Sequence, residues 1–90
     1  MLEIVASNRF RRDLKLALKR GCKMELLQSV VDQLAAGQQL AEKYRDHPLS
    51  GDYSGFRECH ITPDWLLIYQ AREKELILLL FRTGSHSDLF

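Results

Sequence analysis

The stretch Phe56-Arg57-Glu58-Cys59-His60-Ile61-Thr62-Pro63-Asp64-Trp65-Leu66-Leu67-Ile68-Tyr69-Gln70-Ala71-Arg72-Glu73-Lys74-Glu75-Leu76-Ile77-Leu78-Leu79-Leu80-Phe81-Arg82 decides the fold. Two tight polar breaks, Thr62-Pro63-Asp64 and Arg72-Glu73-Lys74, divide it into three β-rich runs. These read as strands over Phe56 to Ile61, Trp65 to Gln70 and Glu75 to Arg82, joined as consecutive hairpins. Leu76 to Phe81 is apolar without alternation. Such a run belongs to a strand covered on both faces or central in its sheet.

Upstream, Leu2 to Ala6 is a short run with β-branched Ile4 and Val5 and reads as a further strand. Ser7 and Asn8 then offer helix caps. From Asn8 to Arg20 the residues Phe10, Leu14, Ala17 and Leu18 recur at helical spacing, and Gly21 supplies a stop. A second helix is expected from about Lys23 to Ala36, with Met24, Leu27, Val30, Val31 and Leu34 as its apolar stripe and Gly37 after its end. Gln38 to Ser54 is a long polar loop, and the tail runs from Thr83 to Phe90. Long ordered loops in small domains often carry function.

The order β-α-α-β-β-β gives an α+β class: a helical hairpin on one face of a mostly antiparallel four-stranded sheet, in a single domain over residues 1–90. The other sheet face is then free for a site. With 46% hydrophobic and 28% charged residues, the chain has an ordinary globular balance, which excludes a disordered chain. No apolar run reaches membrane-spanning length and no secretory leader is visible, so the cytoplasm is expected. Cys22 and Cys59 read as reduced thiols.

All three histidines, His47, His60 and His86, lie in the second half beside turns or loops. If the three strands are consecutive hairpins, the end of the first, the start of the second and the end of the third share one end of the sheet. His60, Asp64, Arg82 and His86 then come together there, and the loop carrying His47 needs only to fold over them. Imidazoles exchange protons near neutrality, and a guanidinium binds phosphate in a fork. RNA carries its own nucleophile in the 2′-hydroxyl, so this set suits metal-independent cleavage. A zinc site is the competing use of histidines with Asp64, but no His-x-His or His-x-x-x-His spacing favours it. Trp65 and Phe56 read first as packing residues. Phe90, aromatic on a polar tail, packs on the body or against a base. Arg11, Arg12, Lys15 and Lys19 share one face of the first helix, either a solvated face or a phosphate-binding stripe.

The blocks Tyr44-Arg45-Asp46-His47-Pro48-Leu49-Ser50-Gly51, Gly55-Phe56-Arg57-Glu58-Cys59-His60, Pro63-Asp64-Trp65-Leu66-Leu67-Ile68-Tyr69, Arg82-Thr83-Gly84-Ser85-His86 and Leu89-Phe90, in this order, resemble the YafQ branch of the RelE/ParE toxin superfamily. The resemblance spans essentially the whole chain. It implies the toxin of a type II toxin–antitoxin system: a ribosome-dependent endoribonuclease that cuts mRNA in the ribosomal A site and halts translation. It implies a cognate antitoxin as partner, with operator DNA bound only through that complex, and no cofactor, metal or membrane. Carried over by motif, the catalytic positions are His47, His60, Asp64, Arg82, His86 and Phe90, with His86 as proton donor. Arg11, Arg12, Lys15 and Lys19 would contact ribosomal RNA, and Trp65 is a weaker RNA-binding candidate. The base is left open among His47, His60 and Asp64. A ParE-like toxin acting on DNA gyrase, or a non-catalytic RNA- or antitoxin-binding module, are the alternative readings; neither needs an acid–base set.

Overall fold

Ser7 connects the first strand to the first helix and fastens both to the middle of the sheet. In the computed structural model, which describes residues 1–90, its Oγ accepts from the N–H of Phe10 at 3.0 Å and donates to the carbonyl of Phe81 at 2.7 Å. An N-cap of this kind stabilises a helix by about 1 kcal/mol. The chain forms β1 (Glu3–Ala6), α1 (Asn8–Lys19), α2 (Met24–Ala35), β2 (His47–Pro48), β3 (Arg57–Thr62), β4 (Trp65–Arg72), β5 (Ile77–Gly84) and α3 (His86–Leu89). Single 3-10 turns cover Glu42–Tyr44, Gly51–Tyr53 and Glu73–Glu75. Both helices end before a glycine with positive φ, Gly21 at 79° and Gly37 at 75°, where side-chain-bearing residues would be strained.

The α+β class holds, but the sheet has five strands in the order β1-β5-β4-β3-β2, not four. The fifth is the two-residue β2 inside the long loop, with His47 opposite Glu58 and Pro48 opposite Arg57. The sheet is mixed: β1 runs parallel to β5, and the other pairings are antiparallel. The tail also differs from the expected polar extension. Strand β5 continues to Gly84, and α3 follows directly.

One core lies between the helices and the sheet. Phe10, Ala17, Leu27, Val30, Val31 and Leu34 meet Cys59, Ile61, Trp65, Leu67, Tyr69, Leu78 and Leu80 there. Full burial of each such aliphatic side chain contributes about 1.5–3 kcal/mol. Leu18, placed on the expected stripe, is instead exposed. The opposite sheet face is not free. Leu66, Ile68 and Leu89 form a second buried cluster, with Leu49, Tyr53, Phe56 and Phe81 packed against it. The long loop and α3 therefore roof that face, which displaces any site to its rim. This double covering explains the non-alternating run in β5. A register shift helps: Ile68 faces Arg82 while Tyr69 faces Leu80, so Phe81 is the extra residue of a bulge.

Candidate active site

Alternation along β3 sends Cys59 and Ile61 into the helix-side core, so Glu58 and His60 face the other way. Antiparallel pairing with β2 brings His47 opposite Glu58. The result is a carboxylate between two imidazoles. Glu58 Oε1 lies 3.4 Å from Nε2 of His47 and 3.3 Å from Nε2 of His60. Glu58 is only 4% exposed. A buried carboxylate is costly unless it is compensated, and these two rings are the nearest groups that can offset its charge. Glu58 is not among the residues singled out from the sequence. Its signal was present in the sequence as an acid two residues before His60 in a strand that otherwise alternates toward a core.

The row His60–Leu66–Gly84 crosses β3, β4 and β5 at this end of the sheet. The next residues after Gly84 bring in the tail. Ser85 caps α3: its Oγ accepts from the Asp88 N–H, and its own N–H donates to Asp88 Oδ2 at 2.9 Å, a reciprocal capping box. Asp88 also accepts both Arg20 amino groups, at 2.5 and 3.2 Å, which ties α3 to the end of α1. The arginine and the Ser85 N–H hold the Asp88 carboxyl far below the usual carboxylate range. From beneath, Leu89 is buried on Leu66 and Ile68, and Tyr53 donates its hydroxyl proton to the Leu89 carbonyl at 3.1 Å.

So anchored, α3 presents His86 beside His60, ring centroids 5.6 Å apart. Asp64, in the β3–β4 turn, accepts from the His86 backbone N–H at 3.3 Å and lies 3.1 Å from the His86 Nδ1. These two contacts lower the Asp64 pKa from its ordinary value. Phe90 is 62% exposed, standing edge-on to Tyr53 at 5.5 Å and 6.4 Å from the His86 ring.

Arg82 ends two residues short of Gly84 on β5, as the hairpin argument expects, but it is already engaged. Its Nε and one amino group donate to Asp13 of α1 at 2.7 and 2.9 Å. Asp13 also accepts from the Thr83 N–H. The pairing raises the Arg82 pKa above its ordinary value. Asp13 thus fixes the orientation of the guanidinium and leaves one amino group outside the fork. It was visible in the sequence only as the single acid in a basic helix.

Trp65 requires a correction. It is 4% exposed, lies in the helix-side core, and donates Nε1–H to Thr83 Oγ1 at 2.9 Å. Thr83 in turn donates to the Leu66 carbonyl. An indole locked this way offers no face to RNA. Arg11, Arg12, Lys15 and Lys19 are all exposed on α1 and make no ion pair, whereas Arg20 turns toward α3.

The arrangement offers two imidazole groups, each backed by a carboxylate: His60 with Glu58, and His86 with Asp64. It also offers a possible cation site, since ligand atoms of His47, Glu58 and His60 all lie within 4.8 Å of one another. Two histidines and a carboxylate are a donor set that zinc accepts.

Comparison with known proteins follows the same lines. Residues 2–90 match the family model described as the bacterial toxin of a type II toxin–antitoxin system, YafQ. The chain is 39% identical over 89 residues to the mRNA interferase toxin YafQ of Escherichia coli, covering 98% of this chain and 95% of that protein. Among solved structures it resembles a metal-bound toxin from Helicobacter pylori, with 52% identity, complete coverage of both chains and a TM-score of 0.94. It also resembles YafQ in the E. coli DinJ–YafQ toxin–antitoxin complex, with 39% identity, coverage of 99% and 97%, and a TM-score of 0.88.

Proposed function

The chain belongs to the YafQ family of type II toxin–antitoxin toxins, and from that premise we propose that it is an endoribonuclease that cuts mRNA on the ribosome by metal-independent acid–base chemistry. The observation that carries the reading is the pair of imidazoles at the rim of the sheet, 5.6 Å apart, each with its own carboxylate.

In this scheme a phosphodiester sits between the two rings. His60, supported by Glu58 and next to His47, takes the proton from the 2′-hydroxyl. The 2′-oxygen forms its bond to phosphorus as the bond to the 5′-oxygen breaks. His86 gives its proton to that departing oxygen. Asp64 holds Nδ1, which leaves the other ring nitrogen, Nε2, for the substrate. On this reading Asp64 positions His86, and the base belongs to the His60–His47 pair, a choice that the Asp64–His86 contact supports. Arg82, oriented by Asp13, stabilises charge on the phosphorane through its remaining amino group. Phe90 offers an exposed ring for a base to stack on.

The partners follow from the same reading. The exposed basic face of α1, with Arg11, Arg12, Lys15 and Lys19, lies against ribosomal RNA. A cognate antitoxin binds and silences the enzyme, as DinJ complexes YafQ in the relative described above. Operator DNA is reached only through that complex. No helix is long and apolar enough to cross a membrane, and the work is done in the cytoplasm, where translation takes place.

Mapping product ends on a translated mRNA, with and without ribosomes, tests the proposal. The expected products carry a 2′,3′-cyclic phosphate and a 5′-hydroxyl, and appear only with ribosomes. A 5′-phosphate product overturns the mechanism, and equal cleavage of free RNA overturns the ribosome requirement.

A further inference from the structure

Strand β2 pairs with only Arg57 and Glu58, so the outer edge of β3 is bare of strand from Cys59 onward. A groove of 530 Å³ opens along that edge. Residues from His60 to Pro63 line it on the sheet side, Lys43, Tyr44 and Arg45 face it from the long loop, and α2 adds Leu26 and Ser29. His60 therefore belongs both to the imidazole pair and to the groove.

Two features of the loop wall suit it to an anion. First, the cations are uncommitted. Arg57 is paired with Asp46, Arg82 with Asp13, Arg20 with Asp88 and Arg72 with Glu75, whereas Lys43 and Arg45 pair with no carboxylate. Lys43 instead holds its ammonium 5.1 Å from the centre of the Tyr44 ring. Second, Arg45 has φ 47° and ψ 46°, a left-handed conformation that favours glycine. A glycine there would close the 3-10 turn with less strain. What arginine adds is a side chain at the mouth of the groove.

Resting on the nuclease reading above, we propose that this groove seats the nucleotide flanking the cleaved bond, with Lys43 and Arg45 contacting its phosphate. The site reads backbone and not sequence, because its charged contacts are ammonium and guanidinium groups aimed at phosphate. It sets the strand in register so that the neighbouring phosphodiester falls between His60 and His86.

The test uses the double variant Lys43→Ala with Arg45→Gly, and Lys74→Ala in the distant β4–β5 turn as control. The first readout is direct binding of a short RNA oligonucleotide that carries a 2′-deoxy sugar at the cut position, so that it cannot be cleaved. The double variant should bind about tenfold more weakly. The slope of log affinity against log salt should flatten by about 1.4, the value for two lost contacts to a single strand. The second readout is cleavage of translated mRNA, where KM should rise and kcat hold. The control should match wild type in both, and melting midpoints should confirm that the variants fold.

Oligonucleotide binding that is undetectable in wild type, or unchanged in the double variant, overturns the groove. So does an effect confined to ribosome binding or to antitoxin binding, which would place ribosomal RNA or an acidic partner there instead. If wild type cuts no mRNA, the nuclease reading falls on that result alone, and the oligonucleotide titration still decides the groove.

Discussion

His86 and Asp64 are bound to each other twice: one carboxylate oxygen accepts from the His86 backbone N–H and also lies 3.1 Å from its ring Nδ1. The second contact fixes which nitrogen faces outward. On this basis His86→Gln should lower cleavage by roughly 10²–10⁴-fold, the range for one acid–base group. Asp64→Ala should cost less, roughly 10- to 100-fold, because it frees the ring without removing it. Single-turnover cleavage rates decide between them. An equal loss in both variants would make Asp64 a proton-transfer group and refute its positioning role.

Glu58→Gln should separate activity from stability. The carboxylate is buried between His47 and His60, and glutamine keeps its size and polarity while removing the cost of burying a charge. Cleavage should fall by roughly 10- to 100-fold as the two rings lose their shared anchor. The thermal midpoint should stay level or rise. A parallel drop in midpoint and rate would show that Glu58 serves the fold instead.

Acid should release the tail only late. Arg20 and the Ser85 N–H depress the Asp88 pKa. A carboxyl depressed on folding contributes stability that is present above its unfolded pKa and lost as pH falls through the folded one. The docking of α3 should therefore persist from neutrality to well below the ordinary carboxylate range. NMR titration of the Asp88 carboxyl would follow this, and Arg20→Met should move its midpoint up toward the ordinary value. A normal midpoint in the unsubstituted protein would rule out the clamp.

Gly84→Ala attacks the same clamp from the side. A Cβ at this position would meet the Asp88 Cβ and Oδ2 at 2.9 Å. Relieving that overlap moves Asp88 off Ser85 and Arg20. We expect a loss of about 1–3 kcal/mol in urea unfolding, with a drop in cleavage as His86 shifts. Wild-type cleavage in a folded Gly84→Ala protein would show that His86 does not depend on the clamp.

Cleavage should survive a chelator, since the scheme routes no proton through a metal. Added zinc should suppress it, because His47, Glu58 and His60 can ligate a cation and a metal-bound imidazole accepts no proton. Cleavage assays with chelator and then with graded zinc provide both readings. Abolition by chelator alone would overturn the acid–base mechanism.

Much of this was legible in the sequence, for physical reasons that differ by element. The two helices and strands β3, β4 and β5 announce themselves through apolar periodicity and the breaks at Gly21, Gly37, Pro63 and Arg72–Lys74. The meeting of His60, Asp64 and His86 followed from strand direction alone. Strand β2 did not, because two residues in a polar loop carry no period and owe their pairing to Glu58 and Arg57 across from them. The parallel β1–β5 pairing is a tertiary choice that alternation does not encode. Helix α3 carries a cap pattern, Ser85 followed three residues later by Asp88, but at four residues it is too short to show a period. Trp65 shows the limit of residue type as a guide: an aromatic beside a catalytic turn stacks on RNA or fills a core according to which face its strand position selects.

The pairing of β1 with β5 bears on how the protein comes into being. Strand β1 leaves the ribosome long before its sole neighbour in the sheet; Ser7 must find Phe81, 74 residues away. Contacts so distant in sequence are slow to form, since a long loop must close before they give any return. His60, Arg82 and His86 come together only once β5 and α3, at the far end of the chain, have joined the sheet. If the protein acts on the ribosome as proposed, a chain still short of β5 lacks the site, and a partner can reach it before the site is complete.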